Sequence, residues 1–259
     1  MSASPRIVAV ANQKGGVGKT TTAVNLAASI AAAEKRTLLI DADPQGNASS
    51  GVGIRPRTVE RSLYEVLIGR LSLSEVTCKT EVAMLDVVPS TQDLAGAEIE
   101  FVDLPDRIER LRKAIAEWGS DGHRYEYVFI DCPPSLGLLT LNALVAARQV
   151  IVPLQCEYYA LEGLTHLMAT IDRVKATHNP DLTVFGIVLT MFDTRNNLSH
   201  EVAGEVRRHF RVFDSVIPRN VRLSEAPSHG KPALLYDAQS KGAQGYLSLA
   251  REIIEACVP

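Results

Sequence analysis

The sequence predicts an α/β fold, a doubly wound, mostly parallel sheet flanked by helices. Three observations predict it. Short apolar runs alternate with helical patterns along all 259 residues. Those runs are apolar almost without interruption, which marks strands buried on both faces. The first run ends in a glycine-rich turn leading into an alanine-rich helix, the arrangement of a phosphate cradle. Strand–helix alternation implies parallel order with right-handed crossovers.

The first strand is Ile7–Val10, and its helix runs from about Thr21 to Ala33. Thr37–Asp41 and Leu85–Pro89 are the next strands, and Gly46–Leu73 between them is the least regular stretch. A charged helix is expected over about Pro105–Trp118, followed by the strand Tyr127–Asp131. Two more strands, Val150–Pro153 and Val184–Thr190, are separated by helices near Leu138–Ala147 and Glu162–His178. Helices near Leu198–Phe210 and Ala243–Ala256 complete the chain. Neither a linker nor an internal repeat divides it, so residues 1–259 are expected to form a single domain.

Composition narrows the function classes. A hydrophobic content of 46% suffices for a sizeable core. No apolar run reaches transmembrane length, and Met1–Pro5 lacks the features of a signal peptide, so a cytoplasmic location is expected. Cys78, Cys132, Cys156 and Cys257 lie far apart without a C-x-x-C motif, which favours reduced thiols over a disulfide or metal framework. The net charge of -3 excludes a general polycation. Between Glu205 and Lys231, however, six bases face three acids, a local +3. On charge alone an ordinary solvated face is the favoured reading.

The run Lys14-Gly15-Gly16-Val17-Gly18-Lys19-Thr20-Thr21 is a phosphate loop with an additional lysine. Gln13 stands where the general G-x-x-x-x-G-K-[ST] pattern has its first glycine. Oxyanions need several N–H groups converging on one concavity, and glycine reaches the necessary backbone conformations without a Cβ clash. Lys19 is placed to meet the β- and γ-phosphates of a nucleotide, and the Thr20 hydroxyl to bind Mg²⁺. Lys14 points to a second protein surface completing the site.

Two further motifs end strands, where ligands of such sheets bind. Asp131-Cys132-Pro133-Pro134 supplies an aspartate for the Mg²⁺ shell. Asp41-Ala42-Asp43-Pro44-Gln45-Gly46-Asn47 supplies two carboxylates, one for the metal shell or Lys14 and one to orient water. Asp-Pro is also common turn chemistry.

Together these blocks resemble the deviant Walker A ATPases of the ParA/Soj type, a branch of the P-loop NTPases. So do Gln155-Cys156-Glu157-Tyr158-Tyr159-Ala160-Leu161-Glu162-Gly163 and Ile217-Pro218-Arg219-Asn220-Val221-Arg222-Leu223-Ser224-Glu225-Ala226-Pro227-Ser228. The blocks span nearly the whole chain in the family's order. The chain starts almost at its first strand, so it is similar to the small type without an N-terminal helix-turn-helix domain.

The resemblance implies an ATP- and Mg²⁺-dependent homodimer that binds double-stranded DNA non-specifically on the nucleoid. It further implies slow ATP hydrolysis, stimulated by a ParB-type centromere-binding protein, and a role in chromosome or plasmid partition. By matching position, Lys14 reaches the partner subunit's nucleotide, Asp43 is needed for hydrolysis and adjoins the metal, and Pro218 and Asn220 lie near adenine and ribose. Four lysines from two chains, with two Mg²⁺, would offset two ATP in a water-poor interface. Without ATP, two lysines crowd one loop. Arg195, Arg219 and Arg222 are the candidate DNA contacts, Arg219 having a second candidate role on the nucleotide loop. With neither a helix-turn-helix nor an aromatic stacking pattern, phosphate contact without base readout is expected.

Two alternatives share parts of this pattern. A MinD-like membrane switch ends in a basic amphipathic helix, but Ala250–Pro259 has one arginine against two glutamates, so no stable membrane association is expected. An electron-transfer protein of the nitrogenase iron-protein type needs cluster cysteines, for which Cys132 is the nearby candidate.

Overall fold

The computed structural model describes residues 4–55, 58–120, 125–157 and 159–257. Tyr158 of the Gln155–Gly163 block, the first residues of the N-terminal segment and the last two residues therefore lie outside the described residues.

Seven strands form one sheet. They are β1 (Arg6–Val10), β2 (Thr37–Asp41), β3 (Cys78–Lys79), β4 (Leu85–Val88), β5 (Tyr127–Asp131), β6 (Gln149–Gln155) and β7 (Thr183–Thr190). Their order is β3-β4-β2-β5-β1-β6-β7, and only the β3–β4 pairing is antiparallel. Six of the seven coincide with apolar runs of the sequence. The seventh, β3, is two residues long, too short to carry a period.

Side chains alternate between two cores. Leu38, Ile40, Val128 and Ile130 enter one. Leu39 and Phe129 enter the other, with Leu26, Ile30 and Tyr246. That second core lies under α1 (Lys19–Ala32) and α12 (Lys241–Glu255), where Tyr246 Oη and Thr22 Oγ1 are 3.1 Å apart in a buried hydrogen bond. On the opposite face lie α7 (Leu138–Ala146) and α8 (Ala160–Thr177), carrying Leu144 and Leu167 into the first core.

Helix α1 begins two residues before the position expected from the apolar pattern. Gly18 precedes it in the left-handed conformation (φ 87°), so Lys19 and Thr20 already belong to its first turn. Their side chains and the free N–H groups of that turn thus come to one place.

The irregular stretch contains α2 (Asn47–Gly51) and α3 (Leu63–Leu67), with Leu63 and Leu67 fully buried. The next short helix is α4 (Leu73–Val76). Capping boxes begin α3 (Ser62 with Glu65) and α4 (Ser72 with Glu75). Neither S-x-x-E spacing was used in the sequence reading. The expected charged helix is shorter than its pattern. After α5 (Leu94–Glu100), α6 spans Arg110–Ser120, and Asp106 instead pairs with Arg110 (3.2 Å) and Lys113 (2.9 Å) just ahead of it.

Candidate nucleotide site

The site forms at the carboxyl ends of β1, β2 and β5. Val10 pairs with Asp131, and Asp41 pairs with Asp131, across neighbouring parallel strands. The phosphate loop leaves directly after Val10, so backbone register alone brings loop and carboxylates together.

Within the loop, Gly16 (φ 75°) and Gly18 (φ 87°) hold left-handed conformations that a Cβ would strain. Nothing lies within 4 Å of a Cβ placed on Gly15 or Gly16, so the concavity is open. Thr190, the last residue of β7, supports the loop from beneath by donating to the Val17 carbonyl (2.8 Å). Lys19 is 7% exposed, and its ammonium donates to the Lys14 carbonyl at 3.0 Å. Burial lowers its pKa, opposed by the fields of Asp131, Cys132 and Asp43.

The three aspartates have separate situations. Asp131 is fully buried, and neither carboxylate oxygen has a hydrogen-bond partner among the described residues. Burial first, and neighbouring Asp41 second, push its pKa well above the carboxylate range, and the nearby Thr20 hydroxyl tempers the rise. Asp41 is equally buried but satisfied. One oxygen accepts from Ser49 N (2.7 Å) and Ser49 Oγ (2.6 Å), the other from Asp43 N (3.2 Å). Its pKa is raised to about 6 by burial, against those hydrogen bonds. Asp41 thereby fastens α2 to the strand end. Asp43, 8% exposed, accepts from Gln45 N at 3.0 Å through one oxygen and is the carboxylate of this pair nearer to solvent.

The residues fit a bound Mg²⁺–nucleotide on one structural ground. A fully buried, unpartnered carboxylate beside a buried ammonium and the Thr20 hydroxyl is costly unless a cation and an anion complete it. Among the described residues no three His, Cys, Asp or Glu side chains converge as a metal cage. Mg²⁺ characteristically takes one or two carboxylates together with phosphate oxygens and water.

Lys14 is not crowded against Lys19, as the sequence had implied for the nucleotide-free loop. Its Nζ lies 2.5 Å from Glu157 Oε2, beyond the end of β6. Glu157 carried no role in the sequence reading. Its place just past a strand end was the available signal.

Beside Thr20 and Thr21 opens a cavity of about 430 Å³, lined also by Asn25, Asn47, Ser50 and Lys231. Pro218 and Asn220 are not in its wall. Pro218 instead bridges to Phe192 in a parallel pair, and Asn220 caps α10 (Val221–Glu225) by accepting from Arg222 N at 3.0 Å. The same bridge brings Arg219 toward Arg195, and Asp193 feels the field of both. All three candidate DNA arginines are exposed. Arg195 pairs with Asp193 (3.0 Å), and Arg222 with Glu225 (2.8 Å) and Asp237 (3.2 Å).

Cys132 is buried, its thiol pKa raised chiefly by burial, and all four cysteines are free. No helix among the described residues is long and apolar enough to cross a membrane.

Comparison with known proteins gives concordant relatives. A family model described as an AAA domain matches residues 5–184. The chromosome partitioning protein ParA of Myxococcus xanthus is 56% identical, over 98% of this chain and 89% of the relative. ParA of Caulobacter vibrioides is 57% identical, over 98% and 96%. The sporulation initiation inhibitor Soj of Bacillus subtilis is 53% identical, over 96% and 98%. Among solved structures, a Mycobacterium smegmatis protein titled cobyrinic acid a,c-diamide synthase, with bound ATP analogue and magnesium, superimposes with a TM-score of 0.85. It is 36% identical, covering 98% of this chain and 96% of that one. The cell division ATPase MinD of Pyrococcus furiosus, 24% identical with a TM-score of 0.81 over 98% and 100%, shares the fold.

Proposed function

Because the chain belongs to the ParA/Soj family of chromosome-partitioning ATPases, we propose that it is a Mg²⁺-dependent ATP hydrolase whose ATP-bound form closes into a homodimer around two nucleotides. The dimer binds duplex DNA without sequence preference, and hydrolysis stimulated by a ParB-type partner releases it. The observation that carries the reading is Asp131, fully buried with two unpartnered oxygens beside Lys19.

In this reading the N–H groups of Gly15 to Thr21 and the Lys19 ammonium hold the phosphates. Thr20 and Asp131, with Asp43 alongside, hold Mg²⁺. Bound there, the metal supplies charge neutralisation for the phosphates. Asp43 orients the attacking water, and its neighbour Asp41 keeps the turn in place through Ser49. Pro218 and Asn220 approach the nucleoside from the β7 side. Lys14 extends to the nucleotide of the second subunit.

DNA binding follows from dimerisation. Each neutralised phosphate adds roughly -0.9 to the salt slope of duplex binding, so doubling a small basic patch converts marginal affinity into useful affinity. The apolar residues Tyr246, Leu249 and Ile253 of α12 are buried in the core and so are not available to a membrane. The synthase name belongs to a relative at 36% identity, whereas relatives at 56–57% carry partition names.

DNA co-sedimentation with ATP, with ADP and without nucleotide, across a salt series, tests the proposal. Pelleting should require ATP and vanish in Lys19→Ala. ATP-dependent pelleting with anionic vesicles and none with DNA would overturn it.

A further inference from the structure

The geometry points to Glu157 as a positioning residue that keeps Lys14 out of its own chain's phosphate cradle and reserves it for a second subunit. The role rests on the nucleotide sandwich proposed above.

The ammonium groups of the two loop lysines have separate acceptors. Lys19 Nζ lies inside, on the Lys14 carbonyl at 3.0 Å. Lys14 Nζ lies outside, 2.5 Å from Glu157 Oε2. Both anchors of Lys14 hang from the end of β6. Its backbone N–H donates to Asn12 Oδ1 (3.0 Å), and Asn12 Nδ2 donates to the Pro153 carbonyl (2.7 Å). Glu157 is itself held in a turn, its N–H on the Gln155 carbonyl (2.9 Å) and its carbonyl accepting from Ala160 N (2.9 Å). The acceptor of the Lys14 ammonium is therefore set by the sheet and the start of α8.

A lysine has a flexible four-carbon stem, and without this acceptor its charge is free to fold back toward any phosphate bound by the same loop. Two ammonium groups would then serve one nucleotide within one chain, leaving none for the partner's. The Lys14 and Glu157 side chains are 35% and 45% exposed. A pair this wet biases Lys14 by no more than about fivefold. That is weak enough for a triphosphate presented across a subunit interface to take the lysine away.

ADP binding to the dilute full chain tests the role independently of dimerisation. Glu157→Gln should tighten ADP binding about three- to fivefold by freeing Lys14. Adding Lys14→Ala in the double variant should abolish that gain. Glu157→Asp, which keeps the charge, should bind ADP within about twofold of the parent. Unchanged or weaker ADP binding by Glu157→Gln overturns the assignment. So does a gain that persists in the double variant, because it would reflect general charge, and so does an equal gain in Glu157→Asp. ATP-dependent dimerisation of the unmodified chain, followed by sedimentation velocity, is the separate check on the sandwich itself. Its absence would remove the sandwich without altering the ADP result.

Discussion

Asp41 and Asp131 occupy paired positions on adjacent parallel strands, both fully buried, yet only Asp41 has its hydrogen bonds filled within the chain. Asp41 is committed to α2 through Ser49, whereas Asp131 has no such commitment among the described residues.

This asymmetry predicts a pH dependence of stability. Both carboxyl groups are raised in the folded state, Asp41 to about 6, mainly by burial. In the unfolded chain each ionises near 4. Below that pH both states keep the proton, and at higher pH the fold must ionise groups that burial keeps neutral. The free protein therefore loses stability as pH rises from about 4, through about 6 for Asp41 and further up for Asp131. Bound Mg²⁺ requires Asp131 in its ionised form, so stabilisation by Mg²⁺ and ADP should grow as pH rises above about 4. Thermal melts with and without Mg²⁺–ADP, at about pH 5 and about pH 8, check this. A larger ligand-induced Tm shift at the acid end would contradict it.

Asp43→Ala should leave ATP binding intact and slow single-turnover hydrolysis by roughly 10²-fold or more. ATP dimers should then persist on DNA. Because Asp43 also accepts from Gln45 N, Asp43→Asn is the informative companion, as its amide oxygen preserves that turn. If Asp43→Asn hydrolyses ATP at the parent rate, Asp43 acts only through the turn.

In the proposed DNA-bound state Arg195 and Arg222 exchange their internal carboxylate partners for DNA phosphate. Each substitution, Arg195→Ala or Arg222→Ala, removes two contacts per dimer and should reduce the salt slope of DNA binding by about 1.8. ATP-dependent dimerisation should be spared. An unaltered slope would move the DNA surface elsewhere.

Gly186→Ala should destabilise the fold without touching the site. A Cβ at Gly186 would lie 2.8 Å from the buried Phe213 ring. Overpacking of this kind costs about 1–3 kcal/mol. Urea denaturation should show a lower midpoint with an unchanged m-value; an unchanged midpoint would mean that Phe213 repacks freely.

Much of the site was legible residue by residue. The loop glycines and the Lys-Thr pair stand adjacent in sequence because the chemistry needs adjacent backbone N–H groups and side chains, whereas the strand-end aspartates were legible one by one, each as an acid closing an apolar run. Short helices such as Leu63–Leu67 escaped the periodic pattern because one turn gives no period, and the Ser62 and Glu65 spacing that caps it was not used. The helix start at Lys19 was displaced from the apolar pattern because the left-handed Gly18, and not hydrophobicity, decides it.

By itself the sequence determined six of the seven strands, the phosphate loop and the family, since apolar runs, glycine positions and motif spacing are local properties. Tertiary structure alone decided the strand order that sets Asp41 beside Asp131, the commitment of Asp41 to Ser49, and the pairing of Lys14 with Glu157 across 143 residues. Such partners are distant in the chain, and nothing in local propensity encodes which buried carboxylate is satisfied. Packing of the sheet brings the groups together, and the need to pair buried polar atoms then selects their partners.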